Sequence, residues 1–279
     1  MPPPSDPLPV QAQTAQPQSI DPFTIICIAI VAYLLASVIH EGLSHGVTAA
    51  VLGARDLRVY SAKLHLDSES ISPEASRAIS IAGPLGSLFI GLLLALYQGN
   101  TRSKNAEFRF CLWLTAYVCL FSGAGYLMAL SFFHVGDIHG FVKDFDSQFA
   151  WRLGLTLLGA VLSLVALFFA GRTMDEFLGR SRRRARAAKL VVISYFAGST
   201  PLILSTLLSE NGSYLALVSA IPATLGGTIF LLYTILAVGE ARPSTDPIPL
   251  TPGRSLPWYA AGVIALFIYG LVLGPGFPR

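Results

Sequence analysis

Long apolar runs separated by short polar stretches organise this chain. The runs are continuous rather than alternating, which predicts membrane-spanning helices and argues against a lipid-exposed barrel. Seven runs stand out: about Phe23–Leu52, one that opens at Ser72-Pro73-Glu74 and reaches about Tyr97, then Phe108–Phe133, Phe149–Ala170, Leu190–Leu208, Tyr214–Val238 and Trp258–Leu273. Ser72 suits a helix N-cap and Pro73 the first helical position. The expected fold is all-α, a polytopic transmembrane helical bundle of about seven spans. Residues 53–72 are polar, and alternation within Leu57–Leu66 predicts a short β-hairpin there.

These boundaries divide the chain into three parts. Residues 1–21, rich in Pro, Gln and Ser, read as a disordered tail. Residues 22–145 form a three-span core, and residues 146–279 a four-span accessory region. No internal repeat is visible, and spans four to seven offer no nameable chemistry.

Composition agrees with lipid burial. Only 13% of the residues are charged and 53% are hydrophobic, against about a quarter charged in soluble domains. Mean hydropathy is +0.61. Cys27, Cys111 and Cys119 lie inside apolar runs and read as core residues. The net charge of +3 is set by one cluster between Arg172 and Lys189, which reads as a solvated, orientation-setting loop with scope for contact with anionic lipid. No pattern suggests nucleic acid. A multi-pass protein of a bacterial-type plasma membrane is the expected setting.

Because helices alternate direction, the loops fall into two sets. One holds the tail and the 98–109, 172–189 and 239–256 segments, with twelve Lys and Arg; the other holds 53–77, 134–152 and the C-terminus, with seven. The positive-inside rule applied to all loops puts the Arg cluster in the cytoplasm, whereas the basic residues that follow the first span vote the other way. The orientation stays open.

Ionisable residues within a span are functional by default. His40-Glu41-Gly42-Leu43-Ser44-His45 closes the first span. Imidazoles bind Zn²⁺, and a neighbouring carboxylate can serve as the base. The usual spacing, HExxH, puts both His on one helical face. Here one extra residue sets them about 140° apart on an ideal helix. Two repairs are open. A π-bulge stacks residues i and i+5, eased by Gly42 and Gly46; alternatively Glu41 and His45 bind the metal and His40 supports them. The first and third spans run in parallel, so Asp137, just beyond the third, can supply a third ligand. His134 and His139 flank it, with interfacial roles as the simpler reading. In the second span, Ala82-Gly83-Pro84-Leu85-Gly86-Ser87 permits close helix approach and can bring Ser87 near the metal; pure packing serves equally.

Taken together, these pieces resemble the site-2-protease-like intramembrane zinc metallopeptidases across roughly residues 30–140. His40-Glu41…His45 followed by Ala49-Ala50-Val51-Leu52-Gly53 is similar to the family's HExxH helix. Ala82-Gly83-Pro84-Leu85-Gly86-Ser87 is similar to its A-G-P-x-x-N element, with Ser87 where Asn is usual. Gly136-Asp137 resembles the aspartate that completes its zinc triad. The family's N-x-x-P element with a following L-D-G is not found around Asp137; a faint echo stands at Ile221-Pro222-Ala223-Thr224-Leu225-Gly226-Gly227. The resemblance implies hydrolysis of peptide bonds in or near the membrane through a zinc-activated water. His40, His45 and Asp137 would hold the zinc, Glu41 would be the base, and a membrane protein or peptide would be the substrate. It also makes 22–145 a metallopeptidase-like core. The competing readings are an inactive peptidase-like scaffold and a small transporter, the latter suggested by Pro201, Pro222 and Gly226-Gly227. A Ser-His protease built on Ser122 lacks a His base in any later span.

Overall fold

The computed structural model describes residues 19–129, 131, 136–179, 182–209, 211–239 and 249–278. In chain order its helices are α1 (Pro22–Val51), α2 (Pro73–Asn100), α3 (Ala106–Ala129), the short α4 (Gly136–Val142), α5 (Gln148–Leu178), α6 (Arg183–Thr206), α7 (Gly212–Ala237) and α8 (Leu256–Leu273). All except α4 are long and apolar enough to cross a membrane. The chain is a multi-pass, all-α membrane protein.

Local chemistry sets the helix starts. The Asp21 carboxylate accepts from the Thr24 backbone N–H at 2.9 Å, with Pro22 in the first turn of α1. Ser72 caps α2 in the same way, its Oγ accepting from the Ala75 N–H at 3.2 Å. Between these helices, β1 (Arg55–Val59) and β2 (Leu64–Asp67) form an antiparallel hairpin, with Arg58 opposite His65 and Val59 opposite Leu64.

Helix α3 lies innermost, 89% of its apolar window being buried. It packs along α2 and α5, while α1 packs against α3, α6 and α8. Close approach rests on small residues. A Cβ on Gly123 of α3 would lie 2.6 Å from the Pro84 carbonyl oxygen of α2, and one on Gly125 would lie 2.4 Å from that of Gly227 in α7. Gly227 is therefore a helix contact, and Pro201 sits within an unbroken α6. The main core cluster includes Tyr33, Trp113, Phe121, Phe177 and Leu190, so it is shared between residues 22–145 and 146–279.

Contacts sort the loops into the two expected sets. On one face, the Asp21 N–H donates to the Pro252 carbonyl, Gln98 reaches Glu176, and Lys189 donates to the Ile20 carbonyl. On the other, Val59 and Phe277 exchange backbone hydrogen bonds. The Arg cluster is less solvated than its composition implies. Arg183 pairs with Asp175, and Arg186 donates to the Phe177 carbonyl and to Thr251, so these two brace the ends of α5 and α6; Arg182 and Arg184 are exposed. Residues 1–18 of the tail, and His134, lie outside the described residues.

Candidate metal centre

The extra residue in the His motif is absorbed by a change of helix type. Helix α1 is α-helical over Pro22–Ser37, π-helical over Val38–Gly46, and α-helical again over Val47–Val51. Hydrogen bonds to i−5 let His40 and His45, five residues apart, stack on one side. Ser44 secures the wide turn: its Oγ donates to the Ile39 carbonyl at 2.7 Å. Gly46 fits because a Cβ there would crowd the Glu41 carbonyl oxygen at 3.2 Å. Of the two repairs open to the sequence, the chain adopts the π-helical one.

Both imidazoles then converge on Asp137. Its Oδ2 lies 3.1 Å from His40 Nε2 and 3.3 Å from His45 Nε2. One ligand atom from each of the three residues falls within 4.8 Å of the others, so they form a group that could hold a metal ion, the one such group among the described residues. His40 and His45 are buried, and the Asp137 side chain is 22% exposed. Burial disfavours ionisation of Asp137, but His45 and His40, when protonated, outweigh it and hold the carboxyl below the usual carboxylate range.

The opposite ring nitrogens are committed elsewhere. His45 Nδ1 donates to the Ile79 carbonyl at 2.7 Å, which leaves Nε2 of the neutral ring with its lone pair facing Asp137. His40 Nδ1 lies 2.9 Å from Ser87 Oγ; when that hydroxyl accepts, His40 Nε2 faces Asp137 in the same state. Two lone pairs and a carboxylate oxygen meeting at one point repel unless protons or a cation lie between them. Such outer hydrogen bonds are the usual means of orienting ligating histidines.

Helix α2 supplies the floor. A Cβ on Gly83 would lie 2.1 Å from His45 Nε2 and 2.8 Å from His40 Nε2, and one on Gly86 would lie 2.0 Å from Ser44 Oγ. Glycine here is a condition for the π segment and the rings to sit where they do. Pro84 holds the next position, its carbonyl against Gly123.

Two cavities flank the triad. Glu41 and His40 line one of about 40 Å³, inside the bundle between α1, α3, α6, α7 and the hairpin turn. His45 and Asp137 line the other, of about 220 Å³, with Leu64 and Leu66 of β2 and Ile79 of α2. Glu41 is 5% exposed and makes no hydrogen bond among the described residues, and its carboxylate oxygens are not fully enclosed.

No family model, curated protein or solved structure matches the chain. The reading of the site therefore stands on this geometry.

The structure brings together His40, His45, Asp137, Ser87 and Gly83, with Glu41 beside them. His139 is not in the triad: Arg152 Nη2 lies 3.2 Å from its Nδ1. Arg152, from α5, is 5% exposed and also donates to the Ser131 carbonyl, so it ties α5 to the segment that carries Asp137. Sequence reasoning passed over Arg152, although an Arg inside the fourth apolar run was a readable signal. It also missed Tyr126 of α3, whose ring stacks on His40 at 4.7 Å. An aromatic in an apolar run carries no such signal.

Proposed function

We propose that this protein is a membrane-embedded zinc metallopeptidase, a divergent member of the site-2-protease-like group, cleaving membrane protein or peptide substrates. The observation that carries the reading is Glu41: a carboxylate on a residue only 5% exposed, beside a His-His-Asp triad and lining a cavity with room for water.

The donor set fits zinc. Two ligand atoms on a tetrahedral ion with arms of about 2.0–2.1 Å lie about 3.3–3.4 Å apart. The Nε2-to-Oδ2 separations of 3.1 and 3.3 Å are close to that. Three protein ligands leave a fourth position open, as catalytic zinc sites require. Two imidazoles and a carboxylate also serve Fe(II) in oxygenases, but a free carboxylate beside the triad favours hydrolysis.

Bound zinc would supply Lewis-acid polarisation of the scissile carbonyl and of water. The residues of the chain do the rest. Glu41 takes the proton of the attacking water as its oxygen bonds to the carbonyl carbon, and returns a proton to the amine as the C–N bond breaks. Ile79 and Ser87 hold the two imidazoles in register. Leu64, Leu66 and Ile79 offer an apolar wall to a substrate side chain next to Asp137 and His45.

The direct test is metal content together with cleavage. Protein purified in detergent is expected to carry about one equivalent of zinc, to lose cleavage of a membrane peptide on chelation, and to regain it on zinc addition. Wild type that takes up no zinc, or cleaves equally well after chelation, sinks the reading. Ser87→Ala removes the support of His40 Nδ1 and is expected to weaken zinc affinity about 10-fold or more, read by chelator competition. Unchanged affinity would make Ser87 a packing residue.

A further inference from the structure

The cavity that holds Glu41 is lined by several hydroxyls, and most of them are already used. Thr224 and Thr228 donate to the carbonyls of Ala220 and Thr224 in their own helix. Ser37 donates to the Ser61 carbonyl at 2.6 Å, and Ser61 Oγ pairs with Thr206 at 3.2 Å. Tyr33 pairs with Thr228 at 3.3 Å. Tyr126 and Ser122 are the cavity hydroxyls without a hydrogen bond among the described residues. Of these two, Tyr126 is 6% exposed and touches the metal centre through its stack on His40. The Tyr126 hydroxyl is not one of the fully enclosed unpaired groups of the bundle, so it keeps contact with open space while pairing with no described residue. Tyr126 lines the same cavity as Glu41 and His40.

We infer that Tyr126 is a further catalytic residue of the proposed reaction: its O–H donates a hydrogen bond to the substrate carbonyl oxygen as negative charge develops there. This rests on the peptidase reading. When water adds to the carbonyl carbon, the C=O π pair moves onto oxygen, and a donor already fixed in place stabilises that charge without reorganising. The stack on His40 fixes the ring, so the donor is placed before substrate arrives. Tyr126 thereby joins two tasks in one side chain, backing a candidate metal ligand with its face and serving the reacting carbonyl with its edge.

Tyr126→Phe separates the two, since it keeps the ring and deletes only the hydroxyl. In zinc-loaded protein its kcat is expected to fall about 100-fold with KM and zinc content unchanged. Binding provides a readout independent of turnover. A phosphonate peptide, in which tetrahedral phosphorus replaces the scissile carbonyl, is expected to bind Tyr126→Phe at least about 10-fold more weakly than wild type by calorimetry. Ser122→Ala, the matched control, should behave as wild type in both assays. Wild-type kcat and phosphonate affinity in Tyr126→Phe overturn the proposal and leave the ring a packing role. Loss of zinc from Tyr126→Phe also overturns it, by making the residue structural. Zinc-loaded wild type that neither cleaves peptide nor binds the phosphonate brings down the peptidase reading itself, and this role with it.

Discussion

Gly83→Ala is expected to yield a folded membrane protein that no longer retains zinc. The added methyl would lie 2.1 Å from His45 Nε2, 2.5 Å from His45 Cε1 and 2.8 Å from His40 Nε2. Contacts below 3.0 Å require something to move, and neither ring is free to do so. His45 is held by the Ile79 carbonyl, which belongs to the same helix as Gly83, so ring and methyl cannot separate without breaking that bond. His40 is held between Ser87 and Tyr126. The clash falls on the two nitrogens assigned to zinc in the proposed site, so the loss should be of binding altogether rather than a graded weakening. Gly99→Ala is the control. It lies in the same helix with nothing within 4 Å of its Cβ, and alanine there should stabilise the helix by up to about 1 kcal/mol. Zinc analysis of both purified variants checks the claim. Full zinc retention by Gly83→Ala would show that the rings do not meet over α2 as described.

The comparison of these two glycines also shows how far such a site can be read from a chain of letters. Both stand in helix α2, and no local pattern says which of them another side chain will touch. What was legible was whatever follows from periodicity and chain direction. The seven spans follow from lipid burial, and the hairpin from alternation in Leu57–Leu66. The nearness of Asp137 to His40 and His45 follows from the first and third spans running in parallel. The five-residue spacing of the histidines stated its own remedy, because a wide turn is the local geometry that stacks i over i+5. Local pattern alone did not choose between that turn and the Glu41–His45 pairing. The choice is made by tertiary fit: Ser44 donating to Ile39, and Gly83 and Gly86 making room beneath. The same limit hid Tyr126, whose importance lies in which ring it touches. It hid the hairpin turn as well, where Ser61 reaches Ser37 of α1 and Thr206 of α6 and walls the Glu41 cavity. These are contacts between segments far apart in sequence, and each looks like ordinary packing until the helices are assembled.

Glu41→Gln is expected to keep its zinc and lose its activity. Glutamine preserves the size and shape of the side chain and removes only the charge and the ability to take a proton. Glu41 is not one of the three grouped ligands, so the metal has no reason to leave. Loss of a general base lowers turnover by about 10²- to 10⁴-fold, and kcat should fall in that range with substrate affinity little changed. Stability should move the opposite way. A carboxylate within a span is costly even where its oxygens are not fully enclosed, and a neutral amide of the same shape carries less of that cost. The thermal midpoint of the detergent-solubilised variant is therefore expected to equal or exceed that of wild type, the usual sign of a residue kept for chemistry at the expense of the fold. Three measurements separate the possibilities. Lost cleavage with zinc and midpoint intact marks Glu41 as the base. Lost cleavage in proportion to lost zinc would make it a ligand instead. Wild-type cleavage with full zinc would remove it from the mechanism, and with it the observation on which the peptidase reading stands.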